Sequence, residues 1–391
     1  MRKQNLNIFE NPGRKERDDS WKIIRQTHMG SYSLTNIFRL LWINKFKISF
    51  RYIPRFLWVL WMSCITLPLR VIEKIRFQKK IRNTKLAKDP IFIIGFYRTA
   101  TTLLHTLFSK DKQFGYMSNL DGFTSQFNLS FSDFARNILE RRMPKTRPMD
   151  NIDMKIDDPQ EESYAIGALS KYGITNSLIF PQNYEYFTKF LTFEECSPKD
   201  LEKWKKVYLY FVQKTTLKNN GKQIVLKNPA NGSRITHLLE MYPNAKFIYS
   251  YRNPYTLFCS MKILLQKLME ISALQTWDEF DIENQFVKLL GKIHSTYDQT
   301  KSLIPPENFY TLKYEDFIKN PLPFLHEIYE EFDLKEFEEA KPVFQEYLDA
   351  KKDYIANKHE ITPRIVEIIN THWEKYRISH GYDRLNPTNI E

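Results

Sequence analysis

A chain of 391 residues with 42% hydrophobic and 15% aromatic side chains can bury a sizeable core, which excludes a disordered chain. Its 11 glycines are few for a Gly-rich β-protein, and Cys64, Cys196 and Cys259 lie far apart with no C-x-x-C pair, which excludes a disulfide framework or zinc knuckle and suits a reducing compartment. The net charge of +12 is uneven: residues 1–90 hold 20 Lys+Arg against 6 Asp+Glu, a balance of +14, so residues 91–391 carry −2 and nucleic acid is not an expected partner.

In chain order, the first 30 residues are polar and charged, so no signal peptide is expected. Residues 56–69, FLWVLWMSCITLPL, form the most apolar run, bounded by Arg55 and Arg70. Fourteen helical residues reach roughly 21 Å, short of the ~30 Å hydrocarbon core of a bilayer. Basic flanks, Trp42, Trp58 and Trp61, with Pro54 and Pro68, favour a helix or helical hairpin lying in one leaflet. A core helix with a solvated basic face is the other reading. Residues 1–89 are thus expected to be a basic, apolar helical appendage that meets a membrane surface through residues 37–75. That places the protein in the cytoplasm, peripheral on the inner face of a membrane. Residues 75–90 read as a solvated connector into a main domain, 90–391.

The spacing there predicts strands over 91–95, 223–227, 246–251 and 309–314, with helices over 101–110, 233–241 and 254–268. This alternation implies an α/β fold with a P-loop-like parallel sheet flanked by helices, whose ligands bind beyond the carboxyl ends of the strands. Three motifs fall at those ends. Gly95-x-x-x-x-Ala100-Thr101-Thr102 nearly copies a phosphate loop, G-x-x-x-x-G-K-[ST], with alanine for the second glycine and threonine for the lysine. Helix N–H groups, the two threonine hydroxyls and Arg98 make an oxyanion cradle without the lysine that a triphosphate needs. A plain strand–turn–helix with threonine caps has the same local pattern.

In YRNPYTLFCS, Asn253 can cap a helix that Pro254 opens. That leaves Arg252 at the strand end and Ser260 eight residues on, able to grip one phosphate. Lys227 ends a buried strand, where its charge needs a partner, either a bound anion or a carboxylate.

Taken together these segments resemble the sulfotransferases that use 3′-phosphoadenosine 5′-phosphosulfate (PAPS). GFYRTATTLLHTL resembles their 5′-phosphosulfate loop, P-[RK]-[ST]-G-T-T; YRNPYTLFCS resembles their 3′-phosphate motif; VLKNPAN and LKYEDFIKNP resemble two further segments, all in the family's order over residues 90–330. The resemblance implies a cofactor contact set of Tyr97, Arg98, Thr99, Ala100, Thr101, Thr102, Arg252 and Ser260, with Lys227 and Arg98 stabilising charge during transfer, and no metal. Tyr97, Thr99 and Ala100 depart from the family's Pro, Ser and Gly. Alanine fits there without strain only if its φ is negative.

The acceptor hydroxyl needs a base. Residues 150–166, DNIDMKIDDPQEESYAI, resemble the family's P-Q-E-D-E segment and offer Glu161 and Glu162; a solvated helix start would look alike. His105 could also be a base, although a packed histidine is the commoner outcome. Lys358, between Asn357 and His359, could close over the nucleotide or sit in a solvated loop. The remaining histidines, His237, His294, His326, His372 and His380, show no metal spacing. Phe114, Tyr116, Phe123, Phe127, Phe131 and Phe134 form an aromatic stripe, either core or the wall of a pocket for a lipophilic alcohol such as a sterol, steroid or lipid. The expected activity is therefore metal-independent, in-line sulfuryl transfer from PAPS to such an alcohol. The alternatives are a P-loop kinase, which predicts Mg-ATP binding, and a membrane-attached, non-enzymatic protein of the same fold.

Overall fold

The computed structural model describes residues 27–141, 143, 144, 146, 153–352 and 360–389. Its centre is a five-stranded sheet in the order β2-β3-β1-β4-β5, with every pair parallel. The strands are β1 (Ile91–Gly95), β2 (Phe114–Gly115), β3 (Gln223–Lys227), β4 (Lys246–Tyr251) and β5 (Phe309–Lys313). β1 is buried along its whole length, as the interior strand of a sheet covered on both faces must be.

Alternation along the strands sends Phe92, Ile94, Ile224, Leu226, Phe247 and Tyr249 to one face and Ile91, Ile93, Val225, Ile248 and Leu312 to the other. The helices that matter here are α1 (Leu34–Ile43), α2 (Ile53–Ile65), α3 (Leu67–Asn83), α4 (Thr101–Lys110), α5 (Ser132–Leu139), α6 (Glu162–Leu169), α7 (Pro198–Lys218), α8 (Pro254–Ser272), α9 (Pro321–Glu331) and α10 (Pro363–His372). Trp204, Tyr208 and Phe211 of α7 cover the first face; Leu104, Leu107 and Phe108 of α4, with Leu325 and Ile328 of α9, cover the second.

The four expected strands are present; Tyr314, counted in the last of them, instead opens a short helix, Tyr314–Phe317. β2, two residues long, has no period to betray it in sequence. The expected helix over 233–241 begins at Ile235, after a 3₁₀ turn, Pro229–Ser233. At the N-terminal side, Ile37, Leu40 and Leu41 of α1 and Val59 of α2 share a buried cluster with Ala168, Ile179, Phe180, Phe187 and Leu274.

Arg55 and Arg70, which bound the apolar run in sequence, turn inward. Arg55 donates to the carbonyls of Ala273 (2.7 Å) and Glu270 (2.6 Å), and Arg70 donates to Thr66 Oγ1 (2.7 Å) and Ser63 Oγ (3.2 Å). They are structural clamps, not headgroup contacts as the sequence suggested. Arg55 lies four residues before buried Val59, and Arg70 four and seven residues after Thr66 and Ser63, which puts both on the inward face.

Candidate active site

Parallel register alone gathers the motifs: Gly95 pairs with Ser250, and Ile93 with Lys227, so the turns after β1, β3 and β4 leave the same edge. Gly95 has φ +128°, and a Cβ there would lie 2.1 Å from the Ser250 carbonyl oxygen, so only glycine lets the strands approach this closely. The turn that follows holds Arg98 at φ +65° and Ala100 at φ +62°. The unstrained fit that a negative φ would have given Ala100 is therefore absent; the left-handed turn is set by the glycine-like geometry of the loop.

Thr99 is fully buried and donates to the Phe96 carbonyl (2.7 Å), while Ser250 Oγ donates to the Thr99 carbonyl. Thr99 thus shapes the loop from within. Tyr97, Arg98, Ala100, Thr101 and Thr102 border a cavity of about 1470 Å³, together with Glu161, Lys227 and Arg252.

The turn after β1 and the start of α8 are one assembly. Arg98 Nε donates to Ser260 Oγ (2.9 Å), and Arg252 Nη1 donates to the Arg98 carbonyl (3.0 Å). Asn253 caps α8 by accepting from Tyr255 N (3.0 Å) and Thr256 N (3.4 Å), as its sequence position suggested. Three further residues hold Arg252 and Asn253. The Tyr314 ring lies 4.0 Å from its guanidinium carbon; Tyr376 Oη accepts from its N–H (3.1 Å) and donates to its carbonyl (2.9 Å); and Glu315 Oε1 accepts from the N–H of Asn253 (2.8 Å). Tyr314 had a signal, lying in the segment after β5. Tyr376 had none, because its contact spans 124 residues. Burial lowers the pKa of Arg252, and its Nε is buried without a hydrogen-bond partner.

Lys227 is 8% exposed, and its partner is a carboxylate, Glu161 Oε2 at 3.3 Å. The other oxygen of Glu161 is buried without a hydrogen-bond partner. Glu162, one residue on, opens α6 and faces the opposite way. It is fully buried, accepts from Tyr208 Oη (3.0 Å) and Asn231 Nδ2 (2.6 Å), and its pKa is raised by burial. Of the two acids, the structure brings Glu161 to the cavity and Glu162 into a polar network beneath it. His105 is 1% exposed and lies 3.2 Å from the Val225 carbonyl through Nε2, so that nitrogen carries the proton. Burial, with Lys227 nearby, lowers its pKa to about 3. It is a packed neutral ring under the loop and borders no part of the cavity. Asn357, Lys358, His359 and residues 150–152 lie outside the described residues.

The aromatic stripe divides. Phe114 packs with Phe108 and Tyr329 in the core, whereas Phe123, Phe127 and Phe134 border the cavity. Trp58, Trp61, Met62 and Ile65 of α2 border the same cavity, which composition alone did not bring to the site. Among the described residues, no group of three His, Cys, Asp or Glu side chains is placed to hold a metal ion.

A sequence profile of the sulfotransferase family matches residues 90–339, more than half of the chain. The chain belongs to the sulfotransferase family. It is 32% identical over 329 residues to the omega-hydroxy-beta-dihydromenaquinone-9 sulfotransferase Stf3 of Mycobacterium bovis, covering 83% of this chain and 84% of that protein, and equally to Stf3 of Mycobacterium tuberculosis. Its fold is similar to the crystal structure of sulfotransferase STF9 from Mycobacterium avium (TM-score 0.66, 16% identity, 83% of this chain and 86% of that one). It is likewise similar to STF1 from Mycobacterium tuberculosis (TM-score 0.56, 18% identity, 76% and 80%). The protein is an enzyme with sulfotransferase activity, and the kinase alternative falls away.

Proposed function

We propose that this sulfotransferase moves the sulfuryl group of PAPS to a hydroxyl at the end of a long lipophilic alcohol. One observation carries the reading. A single cavity runs from the cationic loop residues and Lys227 to an apolar wall of Trp58, Phe127, Phe134 and Leu268. The nearby Stf3 proteins are named for a hydroxylated menaquinone acceptor, which fits a wall of this kind.

The residues present suit PAPS, which would supply the sulfuryl group. Arg252, with its unpartnered buried Nε, and Ser260 would hold the 3′-phosphate; the first-turn N–H groups of α4, Thr101, Thr102 and Arg98 would hold the 5′ side. These donors, preorganised at the 5′ side, would stabilise the charge that transfer of the sulfuryl group leaves on the 5′-phosphate oxygens. Lys227, which borders the cavity, would be one of them. Glu161, freed of part of its pairing as Lys227 turns to that charge, would accept the proton of the acceptor hydroxyl.

The first experiment is calorimetry with adenosine 3′,5′-bisphosphate, with AMP and Mg-ATP as controls. Binding that requires the 3′-phosphate and weakens about 10- to 100-fold in Arg252→Ala is expected, from the ~1.5–3 kcal/mol of a charge-assisted hydrogen bond. Equal binding of AMP would overturn the donor assignment. Turnover of a sugar acceptor in preference to a long-chain alcohol would overturn the acceptor.

A further inference from the structure

α2 presents three faces at helical spacing. Arg55, Val59 and Ser63 are buried against the body; Trp58 and Met62 border the cavity; Ile53, Leu57, Trp61, Cys64 and Ile65 are exposed. Trp61 and Ile65 belong to two of these faces at once, each 51% exposed while lining the cavity, so they form its rim. Phe134 (58% exposed) and Ile138 (37%) of α5 also line the cavity while exposed. The rim is therefore apolar where α2 and α5 contribute to it, while Arg141, Asp153, Lys319, Asp349 and Lys352 make the rest of it charged. Beyond it the apolar surface continues through Phe50 (88% exposed), Leu67, Val71, Ile72 and Ile75 (78%). Single exposed apolar side chains need no explanation, but a run of them over adjoining helices marks a surface that something covers.

Charge decides what covers it. Between residues 27 and 88 the only acid is Glu73, and its buried carboxylate is paired with Lys214. The exposed ions of this region, among them Lys45, Lys47 and Arg51 before α2 and Lys74, Arg76, Lys79 and Lys80 along α3, are all cations. A second copy of the chain, meeting this face through a two-fold axis, would set like charge against like. An anionic leaflet supplies both apolar depth and opposite charge. Among the described residues no single helix is long and apolar enough to cross a membrane; Phe50–Ile65 and Leu67–Asn83, bent by 43°, have the length and composition of a broken span only as a pair, and the buried Arg55 and Glu73 fasten that pair to the body of the protein.

We infer that the outward face of α2 and α3 seats on an anionic lipid leaflet, and that the cavity mouth between Trp61 and Phe134 opens into that leaflet, so that the acceptor enters sideways from the lipid. This rests on the acceptor reading above and adds the route.

The test uses the full chain with vesicles of phosphatidylcholine alone or with phosphatidylglycerol. The parent is expected to float with the anionic vesicles and to release at high salt. Phe50→Glu combined with Ile75→Glu touches neither the cavity nor the nucleotide site. It is expected to lose about tenfold or more in partitioning per substitution, with the melting temperature and adenosine 3′,5′-bisphosphate affinity of the parent. An environment-sensitive dye on Cys64, in a Cys196→Ser background, should shift to the blue on the same vesicles. In turnover, the double variant should lose most of its rate on a long-chain alcohol embedded in vesicles and keep its rate on a short, soluble alcohol. Vesicle binding that is unaffected by the double variant overturns the docking face. Equal loss on both alcohols overturns the lateral route. A stable dimer that excludes vesicles overturns both and gives the face to a second copy. Failure of the acceptor reading looks different: the parent then turns over neither alcohol although it floats, which keeps the docking and overturns the route.

Discussion

At the scale of single residues, neighbouring acids with nearly the same sequence environment have opposite fates. Glu161 precedes α6 in extended backbone and reaches Lys227; Glu162 is the first residue of the helix and is turned beneath the loop. Glu161→Gln is expected to lower kcat by about 10²–10⁴-fold while nucleotide binding stays intact, a range typical of a lost general base. Glu162→Gln should instead cost about 1–3 kcal/mol of stability by disturbing the Tyr208–Asn231 network, with kcat per folded molecule unchanged. Measured together, kcat and urea midpoints assign the roles; a fall in kcat for Glu162→Gln alone would reverse them. At Ala100 the left-handed φ of +62° costs an alanine about 1 kcal/mol. Ala100→Gly should therefore raise the stability by somewhat less than that, since glycine also gains freedom in the unfolded chain. A drop in stability would mean that the Ala100 methyl makes packing contacts worth more than its strain.

At the scale of elements, α3 is fastened by a charge buried far from the site. Glu73 accepts from the N–H groups of Leu129 and Ser130 (2.9 Å each) and pairs with Lys214 of α7, which also donates to the Ser125 carbonyl (2.6 Å). One carboxylate thus ties the N-terminal helices to the segment leading into α5, which also lines the cavity. Removing one partner strands the other in a dry site, so Glu73→Leu should cost about 3–5 kcal/mol, and Glu73→Leu with Lys214→Met should recover much of it. Chemical denaturation of the three proteins checks this; additive losses would argue against a coupled pair.

Strands β1, β3 and β4 could be read from sequence because each is a short apolar run that ends at a turn residue or a charge. Arg98, Arg252 and Lys227 could be read because they stand at those ends. The inward turn of Arg55 and Arg70 could not, since a flanking arginine looks the same whether it meets headgroups or carbonyls. Nor could the division of the Phe114–Phe134 stripe, whose members differ only in which tertiary neighbour they meet.

At the scale of the whole molecule, two buried imidazoles and one half-buried imidazole among the described residues shape the response to acid. His105 is held at about pKa 3, and His294 and His380 at about 4, in each case chiefly by burial. The unfolded chain takes up these protons first as the pH falls below about 6.5. The stability they contribute is therefore complete above that value and is lost as the pH drops towards 4. Each ring should cost about 1.4 kcal/mol per pH unit in that window. Glu162, raised by burial, works in the opposite sense and returns part of the loss. Urea midpoints at pH 7.5 and 5.5 should differ accordingly, and a His105→Gln variant that still folds should show a shallower decline. A profile with no decline would mean the rings are already charged in the folded protein.

The cavity has a consequence for ligand design. Among the described residues, Arg98, Thr101 and Lys227 border the same space as Trp58, Phe127 and Leu268. A bisubstrate inhibitor that tethers adenosine 3′,5′-bisphosphate to a long alkyl chain would convert the second binding event into an intramolecular one. Its affinity should then exceed that of either fragment by the effective concentration that the tether sets. The useful tether length, found by synthesis, would itself measure how far the sulfuryl position lies from the apolar end.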